Sequence, residues 1–272
     1  ANLSVGASIE NISGEVGNMC LVGDHAFAVV KSKGVHIINT RTDKLEKVIE
    51  GSYATLTQSK DGNVWIGAGS KLIKMNPYTF ETSEQTLTDT SIDGTWFAWN
   101  AGRLCASTQR NVLYWTKGKS VVEYNIDEQK LNLALYTIDA DEAGKARSFY
   151  AAGLRVDPLT DKLILTVVRS GWGDSYSYNW IHIIDSKGNL QKEVVMRGDN
   201  GLGADFGNAP TMDDNYYWFP AMPFFKDMNK PEITIGKISL KTAERKAICL
   251  SDMVADKDKM TTSIVKNIVY DA

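Results

Sequence analysis

The chain has 272 residues, of which 43% are apolar, and a formal net charge of -3 with acidic and basic side chains interspersed. This apolar content can form one large core or two modest ones. Phosphate binding requires a clustered Lys/Arg surface, so the charge pattern argues against a nucleic-acid partner. No apolar run approaches the roughly 20 residues of a membrane helix, and we expect no membrane-spanning segment.

From the amino terminus onward, one pattern recurs: an apolar strand, a polar turn and a second strand. The turn carries a short polar side chain at the same position in four copies, which are Asn39, Asn76, Asn125 and Asp185. Such a side chain can bond the backbone two residues further on and start a chain reversal. The five copies begin at Gly34, Lys71, Val121, Trp180 and Ile235, the last being weaker in context.

A second strand pair precedes each of the first four copies. These pairs turn at residues 23–24, 61–63, 100–102 and 158–161, and a further pair turns at 213–215. Two hairpins per unit, repeated every roughly 35–55 residues, predict the blades of an all-β β-propeller. An array of β-sandwiches is the alternative, but its strands would not repeat a single hairpin pattern.

The number of units predicts an incomplete ring. Residues 17–228 hold about four blades and the inner half of a fifth, whereas closed propellers commonly have more. We therefore expect residues 1–16 to be the tail of an earlier blade, with a small ring as the alternative. We place a domain boundary between residues 228 and 229. Residues 229–272 are then either a closing blade or the start of an immunoglobulin- or cadherin-like β-sandwich.

The sequence shows no constellation of catalytic or metal-binding residues. Cys20, Cys105 and Cys249 lie far apart in the sequence, and we interpret them as free, buried thiols. His36 and His182 occupy equivalent positions of two repeats, which favours a structural role. Since no nucleophile elbow, phosphate loop or zinc motif is present, we expect no enzyme, cofactor or metal.

Four strings carry a resemblance to a known group: SKDGNVWIGAG at 59–69, GLRVDP at 153–158, RSGWGDSYSYNW at 169–180 and DNYYWFPAMP at 214–223. They resemble the YncE-like β-propeller surface lipoproteins of gut Bacteroidetes, a group that largely carries a domain-of-unknown-function label. The resemblance implies a seven-bladed type of propeller, often followed by an immunoglobulin- or cadherin-like module. It also implies an extracytoplasmic location, at the outer-membrane surface or in the periplasm. Some members capture cobalamin together with an outer-membrane transporter, and others are encoded beside glycan-uptake systems.

One loop stands out as a candidate ligand site. The segment 169–178 is longer than its hairpin needs, and loops on a rigid scaffold commonly carry function. Together with neighbouring connections it predicts a ligand-binding patch of eight residues, which are Trp96, Tyr150, Arg169, Trp172, Asp174, Tyr176, Tyr178 and Phe206. Aromatic platforms beside polar groups suit sugar rings or a planar macrocycle such as a corrin. The alternative is that these rings fill seams between blades, as we expect for Trp65, Trp99, Trp115 and Trp218.

The resulting hypothesis is a non-catalytic cell-surface protein that captures a cobalamin-like small molecule or a glycan. A protein-interaction scaffold that docks an outer-membrane transporter is the first alternative. A propeller lyase or hydrolase is the second, and it requires a histidine and a carboxylate that converge at one channel mouth.

Overall fold

The chain folds into successive antiparallel β-sheets, and the structure is a computed structural model. It describes residues 12–92, 104–138, 148–170, 178–196, 202–204, 211–212, 216–223, 234–239, 242 and 245–249. Blade 1 contains β1 (Val16–Val22), β2 (His25–Val30), β3 (Gly34–Asn39) and β4 (Lys44–Ile49). Blade 2 contains β5 (Thr55–Gln58), β6 (Val64–Ala68), β7 (Lys71–Met75) and β8 (Thr82–Thr86).

The next two sheets repeat this order. Blade 3 contains β9 (Cys105–Ala106), β10 (Val112–Lys117), β11 (Ser120–Asn125) and β12 (Lys130–Thr137). Blade 4 contains β13 (Ser148–Val156), β14 (Leu163–Ser170), β15 (Tyr178–Ile184) and β16 (Leu190–Met196). In all four blades the strands pair antiparallel in chain order.

A fifth sheet follows, and the predicted domain boundary lies inside its span. It contains β17 (Leu202–Ala204), β18 (Thr211–Met212), β19 (Tyr216–Pro223), β20 (Thr234–Ser239) and β21 (Arg245–Cys249). The boundary between residues 228 and 229 falls between β19 and β20, which pair antiparallel in this one sheet. The residues after Cys249 lie outside the described part of the chain, and the division into two domains stays a prediction.

The sheets are arranged as a β-propeller, which confirms the predicted fold class. The first strands of successive blades, β1, β5, β9 and β13, contact one another in order. They are therefore the innermost strands, and each blade runs outward from them. No helix occurs in the ranges that the structure describes.

The repeated polar turn joins the third and fourth strands of each blade. The Oδ1 atom of Asn39 accepts hydrogen bonds from the amides of Arg41 and Thr42 at 2.9 and 3.1 Å. Asn76, Asn125 and Asp185 make the same kind of side-chain contact with amides two to four residues further on. The prediction that a short polar side chain starts each reversal is confirmed.

Apolar seams between neighbouring blades form the core. Phe27 and Ile37 of blade 1 belong to one buried cluster with residues of blade 2. Trp65 of blade 2 and Trp115 of blade 3 belong to the next cluster, as predicted for seam-filling rings. Fully burying side chains of this size stabilises the fold by about 1.5–3 kcal/mol each. Because the second strand of blade 1 is buried on both faces, its sequence HAFAVV at β2 is a nearly continuous apolar run.

Candidate ligand-binding site

The predicted aromatic patch falls largely outside the described residues. Five of its members, Trp96, Trp172, Asp174, Tyr176 and Phe206, lie there. The other three lie on strands of blade 4, where the backbone pairing places Arg169 of β14 opposite Tyr178 of β15. Tyr150 of β13 lies opposite Val168, one position further along. The three backbone positions are thus neighbours at one end of blade 4, and the patch as a whole stays a prediction.

The hairpin connection at this end of blade 4 is longer than the same connection in the three preceding blades. It spans residues 171–177, whereas the same connection spans 31–33 in blade 1, 69–70 in blade 2 and 118–119 in blade 3. A hairpin needs only two residues to reverse. The extra length in blade 4 is therefore not required for folding the sheet. The connection between β19 and β20 of the fifth sheet is longer still and spans residues 224–233.

The opposite ends of blades 2 to 4 carry polar contacts between neighbouring blades. Asp161 of blade 4 is 5% exposed and accepts hydrogen bonds from Ser107 Oγ at 2.5 Å and from Arg110 Nε at 2.6 Å, both in blade 3. The guanidinium of Arg110 also donates to the hydroxyl of Tyr114 and lies 3.7 Å from Glu123 Oε2. Burial raises the pKa of the Tyr114 hydroxyl, so this hydroxyl stays protonated.

These contacts border an open cleft of about 460 Å³ between blades 2 and 3. Lys60 and Arg110 line it together with Asp61 and Asp127, so its formal charges cancel. Most of these groups already have partners, because Lys60 Nζ donates to the Gln109 carbonyl at 2.7 Å and Asp61 pairs with Lys74 at 3.2 Å. The cleft is therefore a place where blades are tied together rather than a pocket of convergent unsatisfied groups.

Sequence reasoning missed this inter-blade network. Ser59 and Ser107 both follow the first strand of their blades, and each is followed four residues later by an Asn, Asn63 or Asn111. That repeated Ser-x-x-x-Asn spacing marks the turn after the first strand, but Ser59 bonds within its own turn, so the spacing does not identify a contact between blades. Asp161, however, lies 54 residues from Ser107, so a local sequence pattern does not predict the contact between them.

The two repeat-equivalent histidines, His36 and His182, lie in different blades, as the structural interpretation requires. His36 lies in β3 of blade 1 and His182 in β15 of blade 4, and they are 4% and 5% exposed. The two described histidine–carboxylate pairs are His25 with Glu46 at 2.9 Å and His182 with Glu193 at 3.0 Å. Neither pair includes an innermost strand, so these pairs give the lyase or hydrolase alternative no support.

Thiols and metal ligands do not form a site in the described ranges. Cys20 is half-buried and Cys105 is buried; both are free, and burial raises the pKa of each to about 12. No group of three or more potential metal ligands occurs in this part of the chain. Within the same residues there is no apolar helix of bilayer-spanning length.

Comparison with protein families places the chain. The model of the domain of unknown function DUF5074 matches residues 1–226. The chain belongs to this family. It has no match among curated proteins.

Solved structures with this architecture include two from Bacteroides thetaiotaomicron. One is described as an auxiliary nutrient binding protein, with 12% identity, a TM-score of 0.56 and coverage of 87% of this chain and 57% of that one. The other is described as a quinoprotein alcohol dehydrogenase-like protein, with 13% identity, a TM-score of 0.50 and coverage of 66% and 45%. A third, U3-55K, has 9% identity, a TM-score of 0.52 and coverage of 89% and 83%. At these identities the likeness concerns the fold alone. This member of the DUF5074 family spans about half the length of the two Bacteroides proteins.

Proposed function

We propose that the chain is a non-catalytic binding protein that captures a nutrient-type small molecule or a glycan. The proposed site lies at the end of blade 4 where β14 and β15 are joined by residues 171–177. One observation carries the proposal, namely the connection 171–177, which is longer than in blades 1 to 3 without a folding reason. In the sequence, Trp172, Asp174 and Tyr176 come between Arg169 and Tyr178, whose backbone positions pair. Rings beside a few polar groups match what a sugar or a planar macrocycle requires.

The finer elements of the proposal come from the sequence resemblance. They are a cobalamin-like ligand or a glycan, a lipoprotein at the outer-membrane surface, and an outer-membrane transporter as partner. The auxiliary nutrient binding protein from Bacteroides supports the class of function, because it shows a related propeller in a protein with that description. An extracytoplasmic location is consistent with the sequence resemblance and with the description of the Bacteroides protein as a nutrient binding protein.

Isothermal titration of the chain with cyanocobalamin and with purified dietary and host glycans tests the proposal. We expect saturable heat with one of these probes. Trp172→Ala and Tyr176→Ala should each weaken binding about tenfold or more, because aromatic contacts in binding sites commonly contribute over 1 kcal/mol.

Tyr78→Ala is the matched control, since Tyr78 is an exposed aromatic residue in a turn of blade 2. It should leave the affinity unchanged. Absence of heat with every probe, or binding that both loop variants retain in full, contradicts the proposal. Co-purification of an outer-membrane protein that survives both substitutions would instead favour the scaffold alternative.

A further inference from the structure

The hairpin between the second and third strands of blade 3 lies beside the end of blade 4 that carries the proposed site. It consists of Gly118 and Lys119, which join β10 to β11. The Gly118 carbonyl accepts a hydrogen bond from the amide of Ala151 in β13 at 3.1 Å, and the Lys119 carbonyl accepts one from the amide of Ile138 at 2.9 Å. Backbone hydrogen bonds on two sides therefore fix the position of this hairpin, and one of them comes from blade 4.

The hairpin borders on the predicted site residues that lie on the strands of blade 4. Ala151 directly follows Tyr150, and Arg169 lies opposite Phe149, two positions before Ala151 on β13. Tyr178 lies opposite Arg169 in the next strand. Two residues of strand span roughly 7 Å. The backbone positions of the three described site residues therefore lie within about two residues of the strand position that the blade 3 hairpin contacts.

The described charges at this end of blades 3 and 4 are all cationic. They are Lys117, Lys119 and Arg169, within the ranges 116–120, 137–138, 148–151, 167–170, 178–180 and 195–196. The connections 139–147 and 171–177, outside the described part of the chain, contain both acidic and basic residues. Lys119 and Arg169 are thus charged residues whose backbone positions are fixed beside the proposed site.

Lys119 differs from other lysines at this end of the molecule. Lys31, in the same connection of blade 1, pairs with Glu15 at 3.3 Å. Lys117 donates to the hydroxyl of Ser91, which precedes blade 3 in the chain. Lys119 is exposed and forms no ion pair with any residue that the structure describes. Its ammonium group can therefore donate to an anionic group of a ligand in the neighbouring site.

We propose that Lys119 is a specificity-determining residue of the site and that the ligand is an anionic glycan, whose sugars carry carboxylate or sulfate groups. The site is that of the proposed function, on which this inference rests and whose ligand class it narrows. Lys119 and Arg169 donate to the anionic oxygen atoms, and the aromatic residues of the site contact the sugar rings. Hydrogen bonds between charged groups are stronger than those between neutral groups. A neutral glycan lacks them and is bound more weakly.

Isothermal titration with matched pairs of charged and neutral glycans tests this inference. Oligogalacturonate is compared with its methyl ester, and dextran sulfate is compared with dextran. We expect at least one charged probe to bind about tenfold or more tightly than its neutral counterpart. Its affinity should fall when NaCl is raised from about 50 to about 500 mM, because salt screens attraction between exposed charges.

Lys119→Gln should weaken binding of the charged probe about threefold or more and should flatten its salt dependence, because one screened attraction is lost. Lys130→Gln is the matched control. It removes the same charge from an exposed position of blade 3, at the start of β12 and thus at the opposite end of the sheet. This control should leave both the affinity and its salt dependence unchanged.

Three outcomes overturn the inference and leave the proposed binding function in place. One is equal affinity for the charged and neutral members of both pairs, and another is an equal effect of the two lysine substitutions. The third is poly-glutamate binding as tight as that of the charged glycan, since poly-glutamate supplies carboxylates without sugar rings. Absence of heat with every probe, charged or neutral, contradicts both the inference and the proposed function.

Discussion

An imidazole that is buried without partners costs free energy, whereas one that bridges two partners contributes to stability. His36 and His182 differ in this respect although they occupy equivalent positions. Tyr136 and Glu193 flank the ring of His182 at 2.7 and 3.0 Å, and His36 Nδ1 has no partner in the described part of the chain. We therefore expect His182→Leu to lower the free energy of unfolding of the 272-residue chain by about 1–3 kcal/mol.

His36→Leu is the matched substitution, and it should lower the stability less than His182→Leu does, because leucine removes one nitrogen without a partner together with the backbone contact to Gly34. Urea unfolding of both variants measures the difference. Equal losses for the two variants would show that the hydrogen bonds of His182 do not stabilise the seam.

The same residue predicts a pH dependence. Desolvation lowers the pKa of His36 below its ordinary value, so the unfolded chain takes up the proton first as the pH falls. The stability that depends on neutral His36 is thus fully present above the unfolded-state pKa of about 6.5 and is lost as the pH falls below it. Urea midpoints measured from pH 7.5 to 5 should fall less steeply for His36→Leu than for the parent chain. Parallel pH profiles would contradict this assignment.

At the scale of the hairpin, the turn between the third and fourth strands contains an energetic cost as well as a stabilising contact. Four residues after Asn125, Gln129 has a φ of +53°, in the left-handed region. Asp43 and Phe80 occupy the corresponding positions after Asn39 and Asn76. A side chain there costs about 1–2 kcal/mol relative to glycine. Gln129→Gly should therefore raise the free energy of unfolding, by about 0.5–1 kcal/mol once the added freedom of the unfolded chain is subtracted.

Glu128→Gly, one residue earlier, is the control, because Glu128 does not have a positive φ. It should lower the stability by about 0.5–1 kcal/mol, since glycine adds only backbone freedom there. Chemical denaturation of the two variants gives the comparison. A loss of stability in Gln129→Gly would mean that its side chain makes a contact that outweighs the strain.

These turns also explain which elements the sequence could predict. Asn39, Asn76, Asn125 and Asp185 each bond amides within four residues, so the pattern that predicts the turn contains all the groups that form it. Local patterns of this kind predict the repeated hairpins, and the repetition of the hairpins predicts the propeller. For the predicted ligand-site residues within 171–177, the sequence indicates the chemistry of the side chains but not their arrangement, so this site stays a prediction.

At the scale of the whole molecule, the blades depend on contacts between residues far apart in the chain. The turn of blade 4 lies against blade 3 so closely that a side chain on Gly188 would meet the Leu135 carbonyl at 2.0 Å. Ser107 and Arg110 reach Asp161 across the same seam, over 54 and 51 residues. Periodicity predicts the blades, but it does not identify such partners. The contribution of such a contact to the free energy of unfolding can be measured by comparing an ion pair in this seam with an ion pair inside one blade.

Two aspartates that pair with arginines provide that comparison. Asp161 is buried between blades, whereas the contact of Asp24 with Arg41 at 2.8 Å lies within blade 1 and is largely exposed. Asp161→Ala should lower the free energy of unfolding by about 1–3 kcal/mol, because it removes two hydrogen bonds and leaves the half-buried Arg110 with less compensation. Asp24→Ala should change it by less than about 1 kcal/mol, as exposed ion pairs usually do.

Urea denaturation followed by tryptophan fluorescence tests both variants and also the coupling between blades. Trp65 and Trp115 lie in the seam between blades 2 and 3, one seam away from Asp161. If the blades unfold as one cooperative unit, the fluorescence transition of Asp161→Ala shifts to lower urea together with the loss of β-sheet circular dichroism. A dichroism change that precedes an unshifted fluorescence transition would show instead that blade 4 separates from blade 3 while the earlier blades stay folded.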